Sequence, residues 1–553
     1  VTDDIPAIID QLTLDEKAAL VAGRDLWHTP GARRLGVPGI RVTDGPNGAR
    51  GPRWTGIAAA CMPCGSALGA TWDPALVERV GTALAQEART KGAHVLLAPT
   101  VNLHRHPLAG RNFECYSEDP HLSARLAVAF VRGVQSQGVA TTVKHFVAND
   151  SEYERMTISS EVDERVLREL SLVPFEAAVR EAGAWGIMSA YNRLNGTYCA
   201  EHEWLLTTVL RDEWGFDGFV ISDWFGTHST AAAANAGLDL EMPGPPQWFG
   251  EKLAAAVTAG EVEEATLDAM VGNVLTAAAR TGALDGVGGG DAGSVDDPEH
   301  RALAREAASA SFVLLRNEGD LLPLPVEDLH RVALIGTAAD TTWIMGGGSA
   351  SLDSHPAVAP RDGFEQALPD HVELQFARGP AASNTLPVLG RRRLDGGVAT
   401  IDYFATTDLS GPIAFSEPVP GFRLLWMGEW TDRLDTSGYS ARLTTTFVPD
   451  ESGEWTFGLT TVGPCRVVLG GETLVDAWGD RPQGDSFFGF GSAELRATVE
   501  LEAGGEYPLV VEYTSAGTAY LGGLQLGAAP PAPTDALARA VDAARHADVA
   551  VVV

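Results

Sequence analysis

The sequence predicts a multidomain α/β protein: a TIM-like β/α barrel plus an α/β sandwich domain that is interrupted by an all-β sandwich. Three observations predict it. Over roughly the first 280 residues, short apolar runs alternate with amphipathic helical stretches, the pattern of repeated β/α units. From about Val398 to Leu526 the apolar period falls to two, in runs such as Ala441 to Val448, Glu454 to Leu459 and Leu509 to Tyr513, with Gly, Asp and Pro turns between them. The chain has 553 residues, too many for a single core, because cores stop growing near roughly 250 to 300 residues.

Taken in order, residues 1–284 carry the barrel. Its expected strands are His94 to Pro99, Val139 to Lys144, Trp185 to Ala190, Gly218 to Ser222 and Gly237 to Leu240. Among the helices between them, Pro74 to Thr90 is opened by Pro74 and capped by Asp73. Repeated right-handed units of this total length suit a barrel better than an open sheet. The Gly-rich run Asp285 to Gly293 reads as a linker, extending to residue 297. Residues 298–383 open the α/β sandwich domain, with a helix from Pro298 to about Ala310 and strands at Phe312 to Leu315 and Val332 to Ile335. Gly346 to Ala350 reads as a tight loop, since the phosphate-loop lysine and the dinucleotide spacing are both missing. Residues 384–530 form the all-β sandwich. Residues 531–553 resume the α/β domain after Pro530-Pro531-Ala532-Pro533, with a helix from Thr534 and a buried strand over Asp548 to Val553. A strand with no successor is a poor place to end a fold, so a further polypeptide segment is expected to complete this domain.

Composition narrows the partners. A net charge of −33 argues against nucleic acid and anionic membrane, because phosphate binding needs clustered Lys and Arg. No run of about 18 apolar residues appears, and Val1-Thr2-Asp3-Asp4 lacks the regions of a signal peptide, so a cytoplasmic protein is expected. A secreted chain with its signal removed would read the same. Five cysteines fit a reduced protein rather than a disulfide scaffold. Cys61-Met62-Pro63-Cys64 has redox spacing but no thioredoxin-like frame, and no second pair follows to make a zinc site. No metal or organic cofactor is expected, and the sequence leaves homo-oligomerisation open.

The run Gly218-Phe219-Val220-Ile221-Ser222-Asp223-Trp224 ends an apolar strand on a carboxylate followed by an indole. Chemistry in β/α barrels sits where such strands end, which makes Asp223 the first catalytic candidate. An Asp there also caps a following helix readily. Its company favours chemistry: Asp44, Arg50, Arg111, Lys144, His145, Arg155 and Tyr191 recur at or just beyond the ends of other expected strands. Each has a dull alternative. Asp44 could cap the Pro-Gly turn, Arg111 could pair with Glu114 or Glu118, and His145 could be a satisfied core histidine. Together they suit a small ligand covered in hydroxyls, with Arg and Lys donating, Asp accepting and Trp224 packing on a sugar face.

These segments resemble glycoside hydrolase family 3. The likeness is carried in order by Thr43-Asp44-Gly45-Pro46-Asn47-Gly48-Ala49-Arg50, Gly110-Arg111-Asn112-Phe113-Glu114, Lys144-His145-Phe146, Met188-Ser189-Ala190-Tyr191-Asn192, Ser222-Asp223-Trp224 and Gly237 to Pro243. Leu314-Leu315-Arg316-Asn317, Leu321 to Leu324 and Gly346 to Ala350 continue it. Trp430, Gly453 to Phe457 and Val475 to Trp478 resemble a protective-antigen-type β-sandwich inserted in some members, whose insert loop can reach over the active-site entrance; Trp478 and Phe487-Phe488 suit such a loop, although Trp478 is expected rather to fill the sandwich core. The resemblance implies a retaining, exo-acting β-glucosidase, with Asp223 as nucleophile, Trp224 as the stacking aromatic and Asp44, Arg50, Arg111, Lys144, His145, Arg155 and Tyr191 as subsite residues. The family's acid/base glutamate is implied to lie beyond Val553, with Glu114, Glu152 and Glu241 in supporting positions. Lys144-His145-Phe146-Val147-Ala148-Asn149-Asp150 departs from the signature of the N-acetylglucosaminidase branch. Asp44 favours a gluco-configured hexose over xylose. The alternatives are a β-xylosidase of the same family, a Schiff-base aldolase using Lys144, and a carbohydrate-binding protein without catalysis.

Overall fold

The computed structural model describes residues 4–53, 57–340, 343–380, 385–428, 430–518, 520–531 and 535–553. The chain divides into two compact units, one of residues 1–52, 57–314 and 344–355, the other of residues 53–56, 315–343 and 356–553.

The first unit is built of β/α repeats. Val42–Asp44, Val95–Leu97 and Ala140–Thr141 form one parallel three-stranded sheet, and Val143–Phe146, Gly186–Ser189 and Phe219–Ser222 form another. Single bridges pair Thr100 with Lys144, Ile221 with Leu240 and Ala22 with Glu241. Among the described residues the expected barrel is therefore not one closed sheet. The strands are two to four residues long, and the ladder changes register between Val143 and Phe146. The strand expected over Gly237 to Leu240 is reduced to the bridge at Leu240, where Asp239 and Leu240 donate to the Val220 carbonyl and the Leu240 carbonyl accepts from the Ser222 N–H.

The helix Pro74–Thr90 forms as expected, and the Asp73 side chain accepts from the Leu76 N–H at 3.1 Å. It buries Leu76, Val77, Val80, Ala83, Leu84 and Ala88 at helical spacing. It lies close against Pro120–Gln135, because a Cβ on Gly81 would meet the Phe130 carbonyl and one on Gly133 the Glu78 carbonyl. The Gly-rich stretch read as a linker is pinned along this unit through its carbonyls. Val287 accepts from His94 at 2.7 Å, Gly290 from Arg41 at 2.5 Å and Gly293 from Lys91 at 2.7 Å.

Helix Pro298–Ala310 docks through a buried ion pair, His300 Nδ1 donating to Glu87 at 2.9 Å while Nε2 meets Gln86 Oε1 at 3.0 Å. The hydrogen bond to Glu87 raises the His300 pKa against the opposing effect of burial. A raised native pKa stabilises fully below the ordinary histidine value of about 6.5 and is lost as pH rises through the native value. The difference in thermal midpoint between the native protein and His300→Gln is therefore expected to be largest at acidic pH and to shrink through that range. A difference independent of pH would refute this.

The residues Phe312 to Leu315, expected as a strand, make no ladder and are 60 to 91% exposed. An apolar run becomes a strand only against a partner edge, and among the described residues none pairs with it.

In the second unit Arg331–Ile335 lies between Glu373–Ala377 and Val549–Val552 in a parallel sheet. The helix expected from Thr534 spans Ala536–Arg545, and Ala532, Pro533 and Thr534 lie outside the described residues, as do Val1, Thr2 and Asp3. The all-β region is an antiparallel sandwich of a six-stranded and a four-stranded sheet. Its inward residues Ile401, Tyr403, Leu443, Phe447, Trp455, Phe457, Val467, Val511, Leu524 and Leu526 form one core. Trp478 stands outside that core. Its strand ends at Ala477, its N–H donates to Asp476, and its ring lies half-buried beneath Arg466. Phe488 is 55% exposed.

Candidate active site

Asp223 directly follows the strand Phe219–Ser222 and is buried. It caps no helix: the next one, Ala231–Ala236, begins after Thr230. Instead Oδ1 accepts the Trp224 N–H at 2.7 Å, and Oδ2 accepts no hydrogen bond from the protein. The other two strands of its sheet bring in its neighbours. His145 Nε2 stands 3.4 Å from Oδ2, and the Tyr191 hydroxyl approaches the carboxylate without closing a well-formed hydrogen bond.

Asp44 ends the strand Val42–Asp44, Lys144 lies in the strand Val143–Phe146, and both are buried, with Lys144 Nζ donating to Asp44 Oδ1 at 3.0 Å. Arg50 is buried, donates to the Ser349 carbonyl at 2.5 Å and sits 4.6 Å over the Trp27 ring. The loop Gly346 to Ala350 thus acts as a carbonyl platform for an arginine. Arg111 pairs with Glu114, as the sequence allowed, but inside the protein rather than on its surface, and its Nη1 donates to His145 Nε2 at 3.1 Å. Arg155 pairs with Glu152 at 2.5 Å and lies 4.5 Å over the Tyr191 ring. Trp224 donates through Nε1 to the Leu26 carbonyl, and its ring lies 5.4 Å from that of Trp27. All nine residues singled out in the sequence therefore lie in this one network.

Charge follows from the packing. Burial raises the Asp223 pKa above the usual carboxylate value, although Arg111, Arg155, Lys144 and the Trp224 N–H oppose the rise. Burial also pushes Asp44 upward, but Lys144, Arg50 and Arg111 outweigh it and hold its pKa below the usual value. Burial lowers Arg50 to about 10 against the pull of Asp44. His145 falls well below the ordinary histidine value, from burial first and then the charges of Arg111, Lys144 and Arg155, so it is neutral. Tyr191 is raised well above its ordinary value by burial and by Asp223, so its hydroxyl keeps its proton. The result is an ionisable carboxylate with one bare oxygen, facing cations and hydroxyl donors in a buried setting. Such a set can grip several hydroxyls while presenting a nucleophile.

Two participants escaped the sequence reading. Asn102, buried beyond Val95–Leu97, holds the backbone of His145 from both sides, and Trp27 is the second indole wall. The signal for Asn102 was a lone amide just after an expected strand, which is common in turns. Among the described residues no group of three or more His, Cys, Asp or Glu side chains is arranged to hold a metal ion. All five cysteines are free, and burial pushes the Cys61 thiol up to about 12, which makes it unreactive.

Residues 16–277 match the glycosyl hydrolase family 3 N terminal domain and residues 397–539 the PA14 domain. A β-glucosidase of Rhizobium radiobacter is 48% identical over 99% of this chain and 66% of its own length. Beta-glucosidase B of Emericella nidulans is 40% identical over 99% of the chain and 66% of its own. The solved β-glucosidase of Kluyveromyces marxianus aligns with a TM-score of 0.91 and 34% identity, over 99% of this chain and 68% of that one. DesR, a β-glucosidase from Streptomyces venezuelae, aligns with a TM-score of 0.70 and 30% identity, over 99% of this chain and 66% of its own. The chain spans about two thirds of the length of the curated relatives it matches.

Proposed function

Because the chain belongs to glycosyl hydrolase family 3 and carries a PA14-type β-sandwich insertion, we propose that it is a retaining, exo-acting β-glucosidase whose nucleophile is Asp223. The observation that carries this reading is the buried Asp223 carboxylate with Oδ2 bare of protein donors, ringed by Arg111, Lys144, His145, Arg155 and Tyr191. A barrel-like course of the first unit agrees with it, since Asp223 and Tyr191 follow strand ends while Lys144 and His145 lie within the strand Val143–Phe146 of the same sheet.

In the first step an Asp223 oxygen forms a bond to the anomeric carbon as the glycosidic carbon–oxygen bond breaks. The bonding pair leaves on the aglycone oxygen, which takes up a proton from a carboxylic acid. Water then opens the glycosyl ester and restores the carboxylate. Positive charge grows on the sugar ring at the transition state, and the ionised Asp223 stabilises it. Glu114 and Glu152 are held as ion-pair partners of Arg111 and Arg155, which suits support of the site rather than proton donation. Asp44, fixed by Lys144, has an oxygen left to accept from a sugar hydroxyl remote from the reacting carbon.

A 2-deoxy-2-fluoro-glucoside with a dinitrophenolate leaving group tests the assignment, since fluorine slows the second step more than the first. The expected result is one covalent label per chain on the peptide that contains Asp223. A label on another residue, or none from a preparation that hydrolyses the unfluorinated glucoside, would overturn it.

A further inference from the structure

The Asn102 amide meets the backbone of His145 at both its groups. Asn102 Nδ2 donates to the His145 carbonyl at 3.0 Å, and Asn102 Oδ1 accepts the His145 N–H at 2.8 Å. The backbone has a fixed donor and a fixed acceptor, so this pairing settles which end of the amide is oxygen. The same Oδ1 lies 3.3 Å from His145 Nδ1. An amide oxygen can only accept, so Nδ1 must carry the ring proton.

His145 has a second side. Its Nε2 accepts from Arg111 Nη1 at 3.1 Å and stands 3.4 Å from Asp223 Oδ2. The charged and titratable groups facing the ring are Arg111, Lys144, Arg155 and Asp223, and burial first, then the three cations, keep it neutral. With the proton on Nδ1, Nε2 has no N–H to offer Asp223 and its lone pair accepts from Arg111, which fits the absence of any hydrogen bond on Oδ2. In the other tautomer Nε2–H would donate to Oδ2, draw its electron density and hold it back from attack, while Nδ1 and Asn102 Oδ1 would face each other as two acceptors.

We propose that Asn102 is a positioning residue that locks His145 as the Nδ1–H tautomer and thereby keeps Asp223 Oδ2 undonated as the attacking oxygen. The proposal rests on the reading of Asp223 as nucleophile, but its first consequence, the tautomer, does not depend on any activity. A neutral ring is useful here only if its proton is on the correct nitrogen, and Asp223 by itself would draw that proton to Nε2. The Arg111 N–H favours a lone pair at Nε2, and Asn102 supplies the complementary acceptor at Nδ1. Together they clamp the ring from both ends.

The test uses the whole chain labelled with ¹⁵N-histidine, with the His145 signals assigned by their loss in His145→Gln. The native protein is expected to show a protonated Nδ1 and a pyridine-like Nε2 unchanged across neutral pH. Asn102→Ala should give a mixture of tautomers. Asn102→Asp, which places a second negative charge beside the ring, should draw a proton onto Nε2. An Nε2–H tautomer or an imidazolium in the native protein overturns the proposal, as does an unchanged tautomer in Asn102→Ala. The kinetic arm follows glycosylation by a dinitrophenyl glucoside, whose leaving group needs no acid. Asn102→Ala is expected to slow this step on the order of 10²-fold with little change in KM. In Asn102→Asp the step should recover as pH rises and Nε2 loses its proton, a dependence that a merely structural defect would not give. A native tautomer as expected with no glycosylation of Asp223 would sink the enzymatic reading alone.

Discussion

Replacing Asp223 by Asn is expected to lower kcat/KM for an aryl glucoside by roughly 10⁵-fold or more, the scale seen when a covalent nucleophile is removed. The substitution is nearly isosteric, and Oδ1 keeps its acceptance from Trp224, so the fold should be unaffected. The loss is expected in kcat rather than in KM, because the proposed mechanism gives the grip on the sugar to Asp44, Lys144, Arg111 and His145 rather than to the attacking oxygen. A sharper version uses Asp223→Gly with added azide. The small anion fills the vacated space and attacks the anomeric carbon, and the aryl oxygen departs with its electron pair. The product should be the α-glucosyl azide, the opposite anomer to the substrate. Azide rescue that yields the β-azide, or full activity in Asp223→Asn, would remove Asp223 from the mechanism.

The pH profile of the native protein follows from the same burial. In the proposed mechanism Asp223 must be ionised to attack, and its pKa is raised by burial despite Arg111, Arg155 and Lys144. The acidic limb of kcat/KM reports the free enzyme. Its inflection is therefore expected above the ordinary Asp value of about 3.9, with activity lost as pH falls through it. Removing one of those cations should move the inflection upward.

What could be read before the fold was known divides along physical lines. Asp223 was legible because a continuous apolar run must end somewhere, and a carboxylate followed by an indole at such an end is unusual. The helix Pro74–Thr90 was legible because its cap, its proline and its buried stripe are local in sequence. The succession of β/α units was legible, whereas the expected closure into one barrel is not found among the described residues, whose strands of two to four residues are too short for a sequence pattern to fix. Phe312 to Leu315 failed as a strand for a related reason, since apolar composition says nothing about whether a partner edge is present. Trp478 failed because the Asp476 turn, not its hydrophobicity, sets its direction. Asn102 was invisible because its role is a contact with the backbone of a residue 43 positions away. Nothing in a lone amide announces such a partner.

Lys144→Met carries the second large effect, and there stability and chemistry separate. Lys144 and Asp44 are both buried and pair at 3.0 Å. Removing the lysine leaves an unpaired carboxylate inside the protein, for which a cost of about 3 to 5 kcal/mol is expected. Asp44 owes its low pKa to Lys144, Arg50 and Arg111 acting against burial. Without Lys144 its pKa rises, so acidification neutralises it more easily. The destabilisation should therefore be full at neutral pH and should shrink as pH falls and Asp44 takes up a proton. The midpoint of urea unfolding for the native and variant proteins at several pH values reads this directly. A penalty that grows on acidification would show that the pair is not the cause. The double variant Asp44→Asn with Lys144→Met removes both charges and should recover most of the stability. It should not recover glucoside hydrolysis, because the hydroxyl acceptor and its donor partner are gone together and Asp223 has lost one of the cations that oppose its raised pKa. Recovery of both stability and activity would mean that the Asp44 and Lys144 pair is scaffolding only, and that the sugar is held elsewhere.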